Sequence, residues 1–534
     1  MSFLHFAKCA AFLLAASMAS SLQAQDVALT SRDGSVSVSG NFLGFDGEFY
    51  RVDTEYGVLT LDGSGVNCDG PGCPDLNSFY PIIRFSGDGA VSASLLPALV
   101  SAFAARYGYN TEVSMTPTEY RVVLTDSVAG QPEAQIDFVH TSTEEGFADL
   151  VSENTDIVVS SREANTFEKE LARIAGIGDL SDPVRARVMG LDAIVPIVSP
   201  SNPLSTISLE NLEKLLTGTF QNWSEVGGQD APVSLFLNEA IVESGSPLLE
   251  LLPALTVESL ATGATILPTA QAAVEAAEGD PYGFAFGRLS TVGKVKILGL
   301  TGECGFRTDV VSADVKTEDY PLTQPLFLYT PARRLPQIAR DFLDYVLSPA
   351  AQIVVARSPF VDQSIEELTF RDHGRRFANA IRHAGEEIAL DDLQAIVDGL
   401  YGARRLSLGF RFKGGTALLD AQSRSNVQLL ARLVEAGVYD GKQLVFAGFS
   451  DGQGPAAANE RLSERRAAAV RNSVLAALGE AADPELFQTV VRGFGEAMPL
   501  ACDDVAWGRS LNRRVEIWVK DGFTDTLSRE SSAP

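Results

Sequence analysis

Three loops of this chain combine small or hydroxyl side chains with the start of a predicted helix, which suits anion binding. The N-terminus of a helix presents unpaired backbone N–H groups, and small side chains let an anion approach them. Each loop is equally explained as an ordinary turn followed by a helix cap, as for Ser246 before Pro247. The candidate anion-binding residues are Ser86, Gly87, Asp88, Gly89, Ser161, Arg162, Ser244, Gly245 and Ser246.

Catalytic patterns are absent from the sequence. The chain has four histidines, His5, His140, His373 and His383, and none has the spacing of a catalytic triad or a metal site. No nucleophile elbow surrounds Ser160 and Ser161, and no phosphate-binding or dinucleotide-binding glycine pattern occurs. We therefore predict that the protein is not an enzyme and requires neither a metal nor a cofactor.

The candidate loops lie in a stretch where strands and helices alternate, from Ile82 to about Val361. Short apolar runs such as IIRF and TDIVVSS predict strands, and Asn165 with Glu168 predicts a capping box at a helix start. Alternation of this kind is typical of an α/β fold with mostly parallel sheets. The stretch is long enough for two lobes.

Part of this stretch resembles PstS-like phosphate-binding proteins. The resemblance is strongest in VMGLDAIVPIVSPSNPLSTISLENLEKLLTGTFQNWSEVGG, residues 188–228, and continues in YPLTQPLFLY and PQIARDFLDYVLSPAAQIVV. It covers roughly residues 82–362. It implies a type II periplasmic-binding-protein fold, in which two α/β lobes are joined by a hinge and hold phosphate or a related anion between them.

The candidate ligand loops depart from the PstS-like pattern. Asp88 and Ala90 stand where that family usually has hydroxyl side chains, and Ala240 stands where it has an arginine that binds phosphate. Arg162 remains as a candidate donor, although its role could equally be structural. Asp88 is compatible with three roles: it could accept the proton of monohydrogen phosphate, repel a dianion, or pair with a cationic group.

A second resemblance covers about residues 406–520. The runs VFAGFSDGQG, NERLSERRA, GFGEAMP and GRSLNRRVEI resemble, in order, the signature parts of the OmpA-like peptidoglycan-binding domain, and FRFKGGTALLD resembles its opening strand and loop. Phe449 and Ser450 replace the histidine and threonine that are common there. Neither replacement removes a charge that the ligand requires.

The OmpA-like resemblance assigns roles to individual residues. Diaminopimelate in a wall peptide carries an ammonium and a carboxylate together, so its site needs one anion and one cation. By motif position Asp451 would bind the ammonium and Arg466 the carboxylate, with Asn459 facing the same pocket. Asn512 and Arg513 resemble a neighbouring motif that is partly structural. We interpret the other arginines of this helix as a solvated face; they are Arg461, Arg465 and Arg471.

Composition and cysteines limit the setting in which the protein works. The 534 residues carry a formal net charge of −27, which argues against nucleic-acid binding. Lys8, the apolar run from Ala10 to Ala19 and Leu22-Gln23-Ala24 predict a cleaved secretory signal, and no later stretch is apolar and long enough to span a bilayer. In an exported chain Cys68 and Cys73 are predicted to form a local disulfide rather than a metal site. Cys304 and Cys502 lie in different predicted domains and are expected to be unpaired.

Together these patterns predict an α/β protein in six segments. They are a signal peptide at 1–24, a small β segment at 25–80, a PstS-like domain at 81–363, a helical connector at 364–403, an OmpA-like domain at 404–521 and a disordered tail at 522–534.

The predicted function is that of a non-catalytic periplasmic protein that binds phosphate or a related anion and also binds peptidoglycan, including at the inner face of the outer membrane. The alternative is a structural envelope protein whose receptor-like domain no longer binds phosphate. Delivery of a ligand to an ABC permease is a weaker option, because a wall anchor would hinder shuttling.

Overall fold

The computed structural model describes residues 26–522, except 117, 239–245, 253–254, 257–258, 261, 303, 305, 385–387, 414–415, 417 and 481. The predicted signal peptide, Ser244, Gly245 and residues 523–534 of the predicted tail lie outside the described residues. Within them the chain is a mixed α/β protein with a small N-terminal sheet, a two-lobed centre and a C-terminal α/β unit.

The N-terminal sheet is antiparallel, as the alternating runs predicted, with strand order β4-β3-β2-β1-β5. Its strands are β1 Val27–Ser31, β2 Ser37–Phe45, β3 Phe49–Thr54, β4 Gly57–Asp62 and β5 Val66–Asp69. A small core forms between Val27, Leu29, Tyr50 and Val52. Cys68 and Cys73 form the expected disulfide.

The centre of the molecule is one eleven-stranded sheet shared by two lobes, in the order β14-β13-β15-β11-β19-β10-β6-β9-β8-β7 with β16 on β11. The strands and helices of the first lobe are β6 Ile82–Asp88, α1 Gly89–Tyr107, β7 Tyr109–Met115, β8 Glu119–Asp126, β9 Pro132–Thr141, α2 Thr143–Val151, β10 Ile157–Ser160, α3 Thr166–Ile174, and, after the chain returns, β19 Thr323–Tyr329, α8 Gln337–Val346 and α9 Pro349–Arg357. Those of the second lobe are β12 Thr206–Ser208, α4 Leu209–Leu216, β13 Ser234–Asn238, α5 Pro247–Leu251, β14 Thr265–Leu267, α6 Ala270–Gly279, β15 Gly283–Arg288, β16 Lys296–Ile297, β17 Gly299–Thr301, β18 Arg307–Thr308 and α7 Ser312–Lys316.

Strand β11, Ala186–Val198, passes from one lobe into the other. Its first half pairs with β19, and Met189 belongs to the core of the first lobe. Its second half pairs with β15 and contributes Val195 and Ile197 to the core of the second lobe. Strand β11 therefore joins the two lobes, and ends of strands from both lobes border the space between them.

Helix α1 is long and apolar enough to span a membrane by length and composition, contrary to the sequence-based expectation. Its apolar residues pack in the core of the first lobe, where Leu95, Leu99 and Phe103 are at most 1% exposed. The capping boxes and caps read from the sequence are present: Asn165 and Glu168 cap α3, and Ser246 caps α5 with Pro247 in its first turn.

The C-terminal unit is a five-stranded sheet with order β20-β21-β24-β22-β23, covered by helices. Its elements are β20 Glu367–Thr369, α10 Gly374–His383, α11 Leu390–Leu400, β21 Arg404–Arg411, α12 Ala421–Glu435, β22 Lys442–Phe449, α13 Ala456–Ala477, β23 Gln488–Gly493, α14 Ala506–Asn512 and β24 Arg514–Asp521. The segment expected to be a connector contributes β20 to this sheet, and Ala380, Ile396 and Leu400 pack against Val445 and Trp518. The described residues of 364–403 are thus built into the C-terminal unit.

Cys304 and Cys502 form a disulfide between the second lobe and the C-terminal unit. The expectation that they are unpaired is wrong, because the two units dock and bring residues 198 positions apart into contact. Docking also buries ion pairs. Asp319, next to α7, accepts hydrogen bonds from Arg405 at 2.6 and 3.2 Å and from Arg411 at 2.9 Å.

His373 is a buried titratable group inside the C-terminal unit. It is 5% exposed, and its ring lies 5.0 Å from that of Trp518. Burial, and then the nearby charges of Arg376 and Arg405, lower its pKa to about 3. The folded protein therefore holds this imidazole neutral at pH values where the unfolded chain protonates it.

We expect the His373→Phe variant to lose part of the acid sensitivity of the wild type. Because the unfolded chain binds the extra proton below pH ~6.5, wild-type stability should fall as pH drops from ~6.5 towards 3, by at most ~1.4 kcal/mol per pH unit from this group. Urea unfolding at several pH values between 7 and 4 measures the slope. Equal slopes in both proteins would contradict the assignment.

Candidate functional site

A cavity of about 480 Å³ lies between the two lobes. Its walls include Asp88 and Gly89 at the start of α1, Ser161 and Arg162 after β10, and Arg288 at the end of β15. The predicted first two loops therefore come together here with a strand end from the opposite lobe. Ser246 also lines the cavity, and its Oγ accepts the N–H of Leu248 at 3.3 Å.

Asp88 and Arg288 form a two-point ion pair across this cleft. Arg288 donates to Asp88 Oδ1 at 3.1 Å and Oδ2 at 2.5 Å, and to Ser161 Oγ at 3.2 Å. Asp88 Oδ1 also accepts the N–H groups of Ala90 and Val91, which caps α1. Burial opposes the charge of Asp88, but Arg288 and these hydrogen bonds outweigh it and hold the pKa of Asp88 below its usual value.

Arg162, the donor expected from the sequence, is already paired with carboxylates. It donates to Glu168 at 2.7 and 2.9 Å and to Glu144, and its guanidinium lies 5.8 Å from the centre of the Phe147 ring. Burial works against the charged form, but the two glutamates raise the pKa of Arg162 overall. The hydrogen bonds of Arg162 thus stabilise the α3 end of the loop.

Ser86 and Gly87 do not line the cleft, which corrects their prediction as anion ligands. Ser86 is 3% exposed and donates its hydroxyl hydrogen to Asp149 at 2.6 Å. Gly87 has φ +131°, and a Cβ there would lie 2.1 Å from the carbonyl oxygen of Val159. Gly87 is therefore required by the close packing of β6 on β10, and the hydroxyl of Ser86 is occupied by its hydrogen bond to Asp149.

The sequence interpretation missed Arg288, Asn238 and Gln324. Arg288 ends the apolar strand GFAFGR, and an arginine at that point was the one signal available. Asn238 and Gln324 each are 6% exposed and line the cavity. Within the described part of the chain, Asn238 Oδ1 and Gln324 Oε1 have no hydrogen-bond partner. Such buried acceptors are costly unless a donor reaches them, so the cleft favours a ligand or water that supplies N–H or O–H groups.

The second candidate site lies in the C-terminal unit, between the end of β22 and α13. Asp451 is 8% exposed, and its Oδ2 accepts a hydrogen bond from Arg513 at 2.7 Å. Arg466 is 7% exposed, and among the described residues nothing bonds its Nη1. Burial, and then Arg513, lower the pKa of Arg466, while the charge of Asp451 raises it.

Among the described residues, the contact recorded for the Arg466 guanidinium is with an aromatic ring. Its guanidinium lies 5.4 Å from the ring centre of Phe412. A buried guanidinium nitrogen without a hydrogen-bond partner is an open donor for an incoming carboxylate. The charges of Asp451, Arg466 and Arg513 thus act on one another, and the Nη1 of Arg466 is a buried donor without a partner among the described residues.

Asn459 and Asn512 have different environments. Asn459 donates to Glu496 Oε2 at 2.5 Å and weakly to the Gly454 carbonyl. Asn512 is fully buried; it accepts the N–H groups of Leu500 and Ala501 and donates to Asp503 Oδ1 at 2.8 Å. Asn512 therefore fixes the loop before α14, which agrees with the partly structural role expected for its motif.

Comparison with known proteins agrees with both units. A family model for the PBP superfamily domain matches residues 83–350. The chain belongs to this family. A second model, for the OmpA family, matches residues 411–513. The two resemblances stated from the sequence are thereby confirmed, and both matched families are binding domains.

Individual relatives of this PBP-superfamily chain match only parts of it. The phosphate-binding protein PstS of Borreliella burgdorferi is 34% identical over 74 residues, which is 14% of this chain and 26% of that protein. Outer membrane porin F of Pseudomonas aeruginosa is 32% identical over 116 residues, 22% of this chain and 31% of that protein. The chain thus spans less than a third of the length of these relatives.

Solved structures resemble the same two parts. A putative phosphate ABC transporter substrate-binding protein from Clostridium perfringens has a TM-score of 0.40 and 19% identity, covering 53% of this chain and 99% of that one. The peptidoglycan-associated lipoprotein from Burkholderia pseudomallei has a TM-score of 0.18 and 20% identity, covering 21% of this chain and 89% of that one.

Proposed function

We propose that this protein is a non-catalytic envelope receptor that binds a small anion between its lobes and is anchored non-covalently to peptidoglycan. In this proposal residues 1–24 direct export, residues 81–363 form the receptor, and residues 364–521 form the wall-binding unit. The mature protein would lie in the periplasm. The match to a PBP superfamily domain and to the OmpA family supports the coarse assignment.

The observation that carries the wall-binding proposal is Arg466. It is buried, it has an open nitrogen donor within the described chain, and it lies close enough to Asp451 for the charges to interact. Diaminopimelate would place its carboxylate on Arg466 and its ammonium on Asp451, where it would compete with Arg513. Co-sedimentation of the purified protein with peptidoglycan sacculi tests this proposal, and the variants are argued in the Discussion.

For the cleft we propose a protonated oxyanion such as monohydrogen phosphate. The ionised Asp88 would accept the P–OH hydrogen, while Arg288 and Ser161 would donate to the other oxygens. A fully ionised anion such as sulfate has no hydrogen for Asp88 and would be repelled by it. The cleft should therefore distinguish anions by whether they carry a proton.

Calorimetric titration of the full mature protein provides the test. We expect phosphate to bind at least ~30-fold more tightly than sulfate, because bringing a sulfate oxygen against the buried Asp88 carboxylate, with no hydrogen between them, costs about 2 kcal/mol or more. The Asp88→Asn variant keeps a capping side chain for α1 and removes the repulsion, so it should lose most of this preference. Equal affinity for both anions in the wild type would contradict the role of Asp88.

The ion pair between Asp88 and Arg288 favours a second candidate function. Arg288 and Arg162 are each already satisfied by carboxylates of the protein. A domain in this state could have lost its ligand and serve to contact other envelope components. The absence of heat with phosphate, sulfate and small carboxylates would support this alternative over the receptor.

A further inference from the structure

A second cavity, which we call the junction cavity, lies where the C-terminal unit docks on the two lobes. Its volume is about 590 Å³. Lys169 and Phe327 come from the first lobe, Glu318 from the second, and Lys413 and Trp507 from the C-terminal unit. It shares Ser161 and Arg162 with the interlobe cleft, so the two cavities adjoin. Because the two lobes and the C-terminal unit all contribute to its walls, none of the three would contain it alone.

One side of the junction cavity carries surplus positive charge. Glu163 Oε1 accepts hydrogen bonds from Lys169 at 2.6 Å, Lys413 at 2.7 Å and Arg424 at 3.4 Å. Glu163 Oε2 accepts the N–H of Ala421 at 3.1 Å. Three cations thus share one carboxylate oxygen. A second carboxylate brought into the cavity would relieve the repulsion among them.

The other side carries two carboxyl groups, Glu318 and Asp420. Burial, and then the charge of Asp420, raise the pKa of Glu318 to about 8. Within the described residues Glu318 Oε2 has no hydrogen-bond partner, whereas Asp420 Oδ1 caps α12 by accepting the N–H of Ser423. Arg411, whose charge acts on both carboxyl groups, donates to Asp319 and to the carbonyls of Glu318 and Leu511.

Gln422 adds an open acceptor whose orientation is fixed by its neighbours. Asn426 donates to the carbonyl of Gly409 at 2.8 Å, so its Oδ1 is free to accept from Gln422 Nε2 at 3.1 Å. Gln422 Oε1 is then the atom left over; it has no partner in the described structure although the residue is only 3% exposed. Gln422 lines the junction cavity next to Asp420.

We propose that the junction cavity binds a zwitterion, an amino acid or a short peptide. Its ammonium would donate to Glu318, Asp420 and Gln422, and its carboxylate would accept from Lys169 and Lys413. The rings of Trp507 and Phe327 would contact its apolar part. An ammonium supplies three donors, and the acceptors left open among the described residues on that side are Glu318 Oε2 and Gln422 Oε1. The groups assigned to the zwitterion differ from those assigned to the anion and to peptidoglycan, although the junction cavity adjoins the interlobe cleft.

The test is calorimetric titration of the full mature protein with the dipeptide alanyl-alanine. Two analogues separate the charges: N-acetyl-alanyl-alanine lacks the ammonium, and alanyl-alanine amide lacks the carboxylate. We expect the zwitterion to bind and each analogue to bind at least about tenfold more weakly, because each loses charge-assisted hydrogen bonds. No binding of the dipeptide, or equal binding of all three compounds, overturns the proposal.

Variants locate the site. Glu318→Gln and Lys413→Met are each expected to weaken dipeptide binding at least about tenfold, since one removes the carboxyl group that the ligand ammonium would ionise and the other removes a donor charge. Asp451→Ala, in the wall-binding unit, and Glu485→Gln, on the exposed surface, should bind the dipeptide like the wild type. If Asp451→Ala abolishes binding while Glu318→Gln and Lys413→Met do not, the dipeptide occupies the wall site and the proposal fails.

Discussion

The Arg466→Ala variant is expected to lose co-sedimentation with peptidoglycan sacculi. Removing one partner of a buried, hydrogen-bonded charge pair costs about 2–5 kcal/mol, which weakens binding at least ~30-fold. Arg466→Lys should be nearly as impaired, because an ammonium cannot make the two parallel hydrogen bonds of a guanidinium. Asp451→Ala should have a comparable effect, since the ligand ammonium then lacks its carboxylate and Arg513 is left unpaired beside it.

A neighbouring arginine supplies the matched control. Arg465 lies on the same helix but is exposed, so Arg465→Ala should pellet with sacculi like the wild type. Circular dichroism and unfolding curves of each variant separate loss of binding from loss of fold. If Arg466→Ala and Asp451→Ala are folded and pellet like the wild type, the proposed wall site is wrong.

Local sequence signals identified the helix starts and the short-range bonds correctly. The capping box of Asn165 and Glu168 and the disulfide between Cys68 and Cys73 involve residues within five positions of each other, so the chain itself brings them together. Ordered motifs likewise identified both binding units. These features depend on spacing along the chain, which a sequence shows directly.

Long-range contacts could not be predicted in this way. Arg288 meets Asp88 across 200 positions, and Cys304 meets Cys502 across 198. Neither pairing leaves a local pattern, because each depends on how separate units pack. Ser86 shows that a suitable residue type can also mislead. A serine suits an anion-binding loop, but here its hydroxyl donates to Asp149. The junction cavity exists only because the units dock, so no motif of either family contains it.

A buried cluster of charges around Asp319 lies where the C-terminal unit docks on the receptor. Its partner Arg405 is 2% exposed and also lies 3.4 Å from Glu516, which accepts hydrogen bonds from Arg514 and Trp518. Burial alone would raise the pKa of Asp319, but Arg405, Arg376 and Arg411 lower it well below the usual value. Asp319 is the member of this cluster contributed by the receptor, so it links the two units electrostatically.

The Asp319→Ala variant is therefore expected to destabilise the C-terminal unit by about 3–5 kcal/mol, because Arg411 would stay buried without its carboxylate partner and Arg405 would keep only Glu516, 3.4 Å away. Asp521 offers a control of similar geometry: it binds Arg404 at 2.8 Å through both oxygens, but its side chain is 67% exposed. Asp521→Ala should leave the unfolding midpoint close to that of the wild type, since water replaces an exposed partner. Calorimetric scans of the oxidised proteins, in which the Cys304–Cys502 disulfide is intact, measure both. Similar scans for the two variants would mean that the buried charges do not hold the units together, and that the disulfide and apolar contacts do.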